Sequence, residues 1–192
     1  MNKTLCTLFA AAALGAALPA QAIRVVDVAT TGASTVLDFS APGLLAVDID
    51  LRDRAPLLIR FEIEAGDLGA AIDFNAVIRN LSAGGLEFVS LGLDRGAFAQ
   101  AGTVTRFFGG DSQLSGGGAQ WRIDLSPAEY FDLELGDAFG SSPGAQNWRL
   151  DGIGWQVGDQ VLLAVAVPEP ASAALLLGGL AAVAGLARRR RG

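Results

Sequence analysis

The chain has no histidine, one cysteine (Cys6), one methionine (Met1) and, among its 14 basic residues, one lysine (Lys3). Each shortage removes a chemistry. Without histidine there is no imidazole base and no histidine-ligated metal, and a serine nucleophile would find neither histidine nor a lysine beyond position 3 to take its proton. With the only thiol at position 6, the rest of the chain needs no disulfide and carries no stray cysteine. Charge is scarce too. Only 18% of the 192 residues are charged while 51% are hydrophobic, against about a quarter charged in ordinary soluble domains. Part of that deficit comes from the two ends. Lys3 and residues 188–191 hold five of the 14 basic residues and Glu169 one of the 20 acidic ones, so residues 23–167 carry 9 basic and 19 acidic positions, a net charge of −10. That segment is one domain's worth of chain, long enough to bury a core. Its negative charge and scattered arginines disfavour a nucleic-acid partner.

The first end reads as a secretory signal. Met1-Asn2-Lys3 is a short basic start, residues 5–18 are rich in alanine and leucine, and Pro19-Ala20-Gln21-Ala22 follows. Ala20 and Ala22 fit the small pockets of a signal peptidase, which places cleavage after Ala22. A helix of that apolar run would be about 21 Å long, too short to cross a bilayer. Cys6 lies near the start of the run rather than just behind it, so it is no lipoprotein cysteine and leaves with residues 1–22.

At the other end, Val167-Pro168-Glu169-Pro170 precedes an uncharged run over residues 171–187 and then Arg188-Arg189-Arg190-Arg191-Gly192. The prolines end the preceding strand and set an extended, accessible segment. The apolar run is about 25 Å as a helix, close to what a membrane core needs. Arg188, Arg189, Arg190 and Arg191 would hold its far end on the cytoplasmic side. These residues resemble the PEP-CTERM sorting signal of exported bacterial proteins, over about residues 167–192, and the resemblance says nothing about the fold of the rest. It implies recognition of Pro168, Glu169 and Pro170 by an exosortase, a membrane-embedded enzyme that cuts near that motif. It also implies a Gram-negative host and a link to extracellular polysaccharide and biofilm. The implied route is export, then an inner-membrane-anchored intermediate with transient membrane contact, then the cell surface or extracellular matrix.

Residues 23–167 alternate. Val47, Ile49 and Leu51 interleave with Asp48, Asp50 and Arg52; Ile59, Phe61 and Ile63 with Arg60, Glu62 and Glu64; Trp121, Ile123 and Leu125 with Arg122 and Asp124. Each pattern puts apolar side chains on one sheet face and charges on the other. Further strands are predicted over 23–29, 34–40, 72–81, 86–93, 103–108, 130–135, 147–151 and 160–167. The turn at residues 80–86 is read as a hairpin joining 72–81 to 86–93. Ser126-Pro127-Ala128-Glu129 is read as a helical turn, and residues 112–118 as a surface loop that lacks the lysine of a phosphate-binding loop. The expected fold class is all-β: an antiparallel, jelly-roll-like β-sandwich over 23–167. It is flanked by a signal-peptide helix within 1–22 and, within the sorting signal over 168–192, by a C-terminal transmembrane helix.

Three chemistries stand beside a purely structural role. Asp48, Asp50 and Asp53, or Asp132, Glu134 and Asp137, could offer oxygens to calcium, though neither set has a calcium-loop spacing and alternating acids on a strand are usually its wet face. A carboxylate pair could hydrolyse a glycosidic bond. Trp148 or Trp155 could stack on a sugar; Trp155, within Gly152-Ile153-Gly154-Trp155-Gln156 and beside its glycines, is expected to be the more exposed. Trp121 shares a face with Ile123 and Leu125 and reads as core. The expected function is a non-enzymatic structural or adhesive protein of a polysaccharide-containing matrix, with no cofactor and no metal. A carbohydrate-binding module is the alternative and an acidic-pair glycoside hydrolase the third.

Overall fold

The computed structural model describes residues 22–140 and 142–167. Thirteen strands, numbered in chain order, form two sheets. The first runs β1 (Arg24–Thr30), β4 (Leu57–Glu62), β13 (Gln160–Ala166), β6 (Leu86–Leu93), β10 (Gln120–Glu129) and β9 (Asp111–Gly117), antiparallel throughout. The second runs β2 (Thr35–Asp38), β3 (Leu44–Leu51), β5 (Ile72–Asn80), β11 (Asp132–Leu135) and β8 (Val104–Arg106). β12 (Trp148–Asp151) continues the edge of β5 that β11 occupies, and β7 (Ala97–Gln100) pairs with β12.

The alternation foreseen from sequence builds the core. Leu45, Val47, Ile49 and Leu51 of β3, Ile72, Phe74, Ala76 and Ile78 of β5, Leu57, Ile59 and Phe61 of β4, and Val161, Leu163 and Val165 of β13 are all buried in one cluster. Period-two side chains from both sheets therefore meet in a single apolar layer.

Several expectations need correcting. The fold is all-β, but it is not wholly antiparallel and so departs from a jelly roll: β3 and β5 pair in parallel, from Leu44 opposite Asp73 to Leu51 opposite Asn80. The chain leaves β3, crosses to the first sheet as β4, and crosses back as β5, so β5 returns pointing the way β3 does. The turn after Asn80 is real, but β5 and β6 are not a hairpin, because they lie in opposite sheets. Asn80 shapes that crossing: its amide donates to the Gly84 and Glu129 carbonyls, and its oxygen accepts from the Ser82 N–H and hydroxyl. Ser126-Pro127-Ala128-Glu129 extends β10 instead of turning into helix, with Ser126 opposite Asp111. The loop read at 112–118 is the edge strand β9. Gly116 makes its tight pairing feasible, since a Cβ there would sit 2.4 Å from the Gln120 carbonyl oxygen. β7 was not anticipated. Among the described residues the one helical element is a 3-10 turn, Ala65–Asp67, and no helix is long and apolar enough to cross a membrane. The signal-peptide helix expected within 1–22 and the transmembrane helix expected within 168–192 lie outside the described residues, apart from Ala22.

Strand direction sorts the loops between two ends. Arg24 and Gln160 both lie opposite Glu62, so the chain enters β1 at the same end as the β12–β13 loop, residues 152–159. At the other end β13 finishes, Leu86 lies opposite Glu129, Leu51 opposite Asn80, and Arg106 opposite Leu133. Loops 52–56, 81–85, 107–110 and 130–131 therefore cluster where the chain leaves the domain.

Candidate functional site

The two tryptophans read as sugar-stacking candidates are core residues. Trp148 is 0% exposed and meets Trp121 and Phe98 edge to face, with ring centroids 5.7 and 5.8 Å apart. Trp155 is 8% exposed and packs edge-on against Phe61 at 6.1 Å. A Cβ on Gly152 would lie 2.0 Å from the Trp155 ring, and one on Gly96 would lie 2.6 Å away. The glycines beside Trp155 thus make the slot that takes the ring inside; they do not leave it on a flexible surface. Neither tryptophan has a face on which a sugar could stack.

The acidic clusters are occupied or dispersed. Asp48 and Asp50, on the outer face of β3, are bridged by the Arg79 guanidinium of β5 at 3.4 and 2.6 Å, so a fixed positive charge stands where a cation would. Hydrogen bonding to Asp50 in turn holds Arg79 above its ordinary value. Asp53 turns away to the backbone, accepting from the Ala33 and Ala55 N–H groups, which hold its carboxyl below the usual range. Burial, then the charges of Asp132 and Asp137, push Glu134 up. Among the described residues no three of His, Cys, Asp or Glu gather as metal ligands. Ala20, Pro168, Glu169, Pro170 and Arg188 to Arg191 lie outside the described residues. Ala22, the proposed last signal residue, is described and adjoins Ile23, which is already buried in the core.

What the fold assembles, and the sequence reading missed, is at the end where the chain leaves β13. Arg106, the last residue of β8, and Glu129, the last of β10, form an ion pair at 3.2 Å with side chains only 3% and 2% exposed. Arg106 also donates to the carbonyls of Asp111, Ser126 and Pro127. The second oxygen of Glu129 accepts the N–H groups of Tyr130 and Phe131 at 2.9 and 3.0 Å. One buried pair therefore fixes two adjacent turns, and each turn presents two aromatic rings outward. Phe107, Phe108, Tyr130 and Phe131 are all exposed, Phe108 by 70%. Phe107 meets Phe108 at 5.0 Å and Phe131 at 5.9 Å, while Phe108 meets Phe131 at 4.6 Å. An exposed apolar patch of touching rings is unusual on a soluble domain and marks a contact surface. A signal for it was present in the sequence: on a strand two consecutive residues cannot both face the core, so the doublets Phe107-Phe108 and Tyr130-Phe131 each leave at least one ring outside.

The PEP-CTERM protein-sorting motif family matches residues 166–191. The chain carries that motif, which implies an exported protein processed by an exosortase through membrane-associated sorting. The match begins at Ala166, the last residue of β13, so no spacer separates the core strand from the motif. No curated protein and no solved structure is similar to this chain.

Proposed function

We propose that this is a non-enzymatic structural or adhesive protein of a polysaccharide-containing biofilm matrix. It is exported with a signal peptide cleaved after Ala22, held at the inner membrane by residues 171–187, and released to the cell surface or matrix by cleavage near Pro168-Glu169-Pro170. The observation that carries this reading is the sorting motif fused directly to β13 of a two-sheet sandwich. The strand is tied into the first sheet on both sides by β4 and β6, so it presents the proline segment from a rigid base while the apolar run holds it at the membrane.

A non-catalytic role is supported by the use made of the carboxylates. Asp48 and Asp50 pair with Arg79, Asp124 with Arg122, Glu129 with Arg106 and Asp159 with Arg95, and paired acids make poor candidates for a hydrolytic couple. Sugar binding through Trp148 or Trp155 loses its support with their burial.

Intact-mass measurement of the exported protein, with and without the host's exosortase, tests the sorting half. The expected mature chain ends near residues 168–170 in the host and keeps residues 188–191 when the exosortase is deleted. A mature surface form that still ends in the arginines would overturn the reading. For the matrix half, a strain lacking the protein should form a matrix of lower mechanical cohesion, and unchanged cohesion would remove that role.

A further inference from the structure

We propose that the exposed rings of Phe107, Phe108, Tyr130 and Phe131 form a membrane-interface foot on which the anchored precursor stands, before cleavage, with this end of the sandwich against the bilayer. The inference rests on the sorting reading for the tether and on the structure for the orientation.

The length of chain beyond β13 sets the geometry. Ala166 lies opposite Ser90, four residues short of Leu86, where β6 begins and the cluster's Glu129 pairs. Four residues of strand span about 13 Å. The apolar run starts at Ala171, five residues past Ala166, and five extended residues reach at most about 17 Å. Along the direction of β13, that run can therefore begin no more than a few ångströms beyond the level of Leu86 and Glu129. Loops 107–110 and 130–131 lie at that same end of the sandwich, so a bilayer holding residues 171–187 faces them.

Their chemistry suits that position. Aromatic side chains favour the membrane–water boundary, where a ring can be apolar on one side and wet on the other. Phe107, Phe108 and Phe131 supply touching apolar rings, and exposed Tyr130, on the same turn as Phe131, adds a ring with a hydroxyl. Phe107 and Phe108 cross at 89° and Phe108 and Phe131 at 72°, while Phe107 and Phe131 are tilted by 34°, so the three rings share no single flat platform and offer mostly edges and apolar bulk. The buried Arg106–Glu129 pair keeps both turns in place, so little ordering is needed on contact.

The test uses the full chain reconstituted in vesicles of phosphatidylcholine brominated near the headgroup end of its acyl chains. Phe131→Trp adds an emitting ring to the foot, and Phe108→Trp does so on the neighbouring turn should the first variant misfold. Ile153→Trp places the probe at the opposite end, where Ile153 is itself exposed. The expected result is that brominated lipid removes most of the emission added by Phe131→Trp and leaves that of Ile153→Trp intact. Equal quenching of both probes, quenching of Ile153→Trp alone, or none would overturn the foot. Loss of lipid quenching accompanied by dimerisation would assign the patch to a second copy instead, which also overturns it. Alkaline carbonate extraction separates the two levels. A chain stripped from the vesicles overturns the tether and the foot together, whereas a retained chain with an unquenched Phe131→Trp overturns the foot alone.

Discussion

Replacing Arg106 by methionine keeps an apolar stem of similar length and removes the one cation that faces Glu129 in the interior. The carboxylate is then left buried with only the Tyr130 and Phe131 N–H groups, and the Asp111, Ser126 and Pro127 carbonyls lose their donor. Breaking a buried ion pair from one side costs about 3–5 kcal/mol, a large share of the roughly 5–15 kcal/mol that holds a domain folded. At about 2–4 °C per kcal/mol for a domain near this size, the melting temperature should fall by about 6–20 °C. Glu129→Gln should cost less, because an amide oxygen can still accept from the two backbone N–H groups and Arg106 keeps its three carbonyls. The combination is the informative variant. With no carboxylate left to strand, Arg106→Met/Glu129→Gln should melt no lower than Arg106→Met alone. Thermal unfolding followed by near-ultraviolet circular dichroism, where buried Trp148 and Trp155 and half-buried Trp121 report tertiary packing, measures all four proteins. If the two single losses simply add, the Arg106–Glu129 charge pairing contributes nothing and Arg106 acts only through the carbonyls. Hydrogen exchange adds a local readout: in Arg106→Met, residues 107–110 and 130–131 should lose protection before the core of β4, β13 and β6 does.

Gly152→Ala places a methyl against the Trp155 ring, so it should lower stability by the roughly 1–3 kcal/mol typical of overpacking and red-shift the tryptophan emission as the ring is displaced. An unshifted spectrum at wild-type stability would mean that the glycine is not needed for the slot. Glu134 is held above the usual carboxylate range by burial and by Asp132 and Asp137, so the fold favours its protonated form and its charged form weakens the domain at neutral pH. Glu134→Gln should therefore raise the melting temperature at pH 7, with the gain shrinking as pH falls toward the ordinary carboxylate range, since folded wild type takes up its proton above that range, and gone below it. A gain that is absent at neutral pH, or that grows on acidification, would show the sign to be wrong.

Much of the strand layout was legible because burial of one sheet face imposes a period of two that each strand carries by itself. Val47-Ile49-Leu51 and Ile59-Phe61-Ile63 show their inner faces without reference to any partner. β9 was hidden because Ser112 to Gly118 has no apolar alternation: it is an exposed edge strand that buries little. The β5–β6 pairing was misread because a turn looks the same whether the chain folds back within a sheet or crosses between sheets, and what separates the cases is the long-range pairing of β5 with β3 and β11. Trp155 was misread because glycine signals flexibility in isolation, while here Gly96, far away in sequence, and Gly152 together leave room for an indole.

The class of the domain, the sorting motif with its apolar run and arginines, and the want of histidine, thiol and lysine that strips residues 23–167 of the commonest catalytic groups can all be read along the chain. These are local or compositional properties, written in neighbouring residues or in simple counts. It took the folded arrangement to put Trp148 and Trp155 inside, to set Arg79 between Asp48 and Asp50, and to join Arg106 and Glu129, 23 positions apart, beneath four exposed rings at the end where β13 exits. Those outcomes depend on which strand ends meet, and that is set by the shared burial of the whole core, so no single stretch of the chain encodes it.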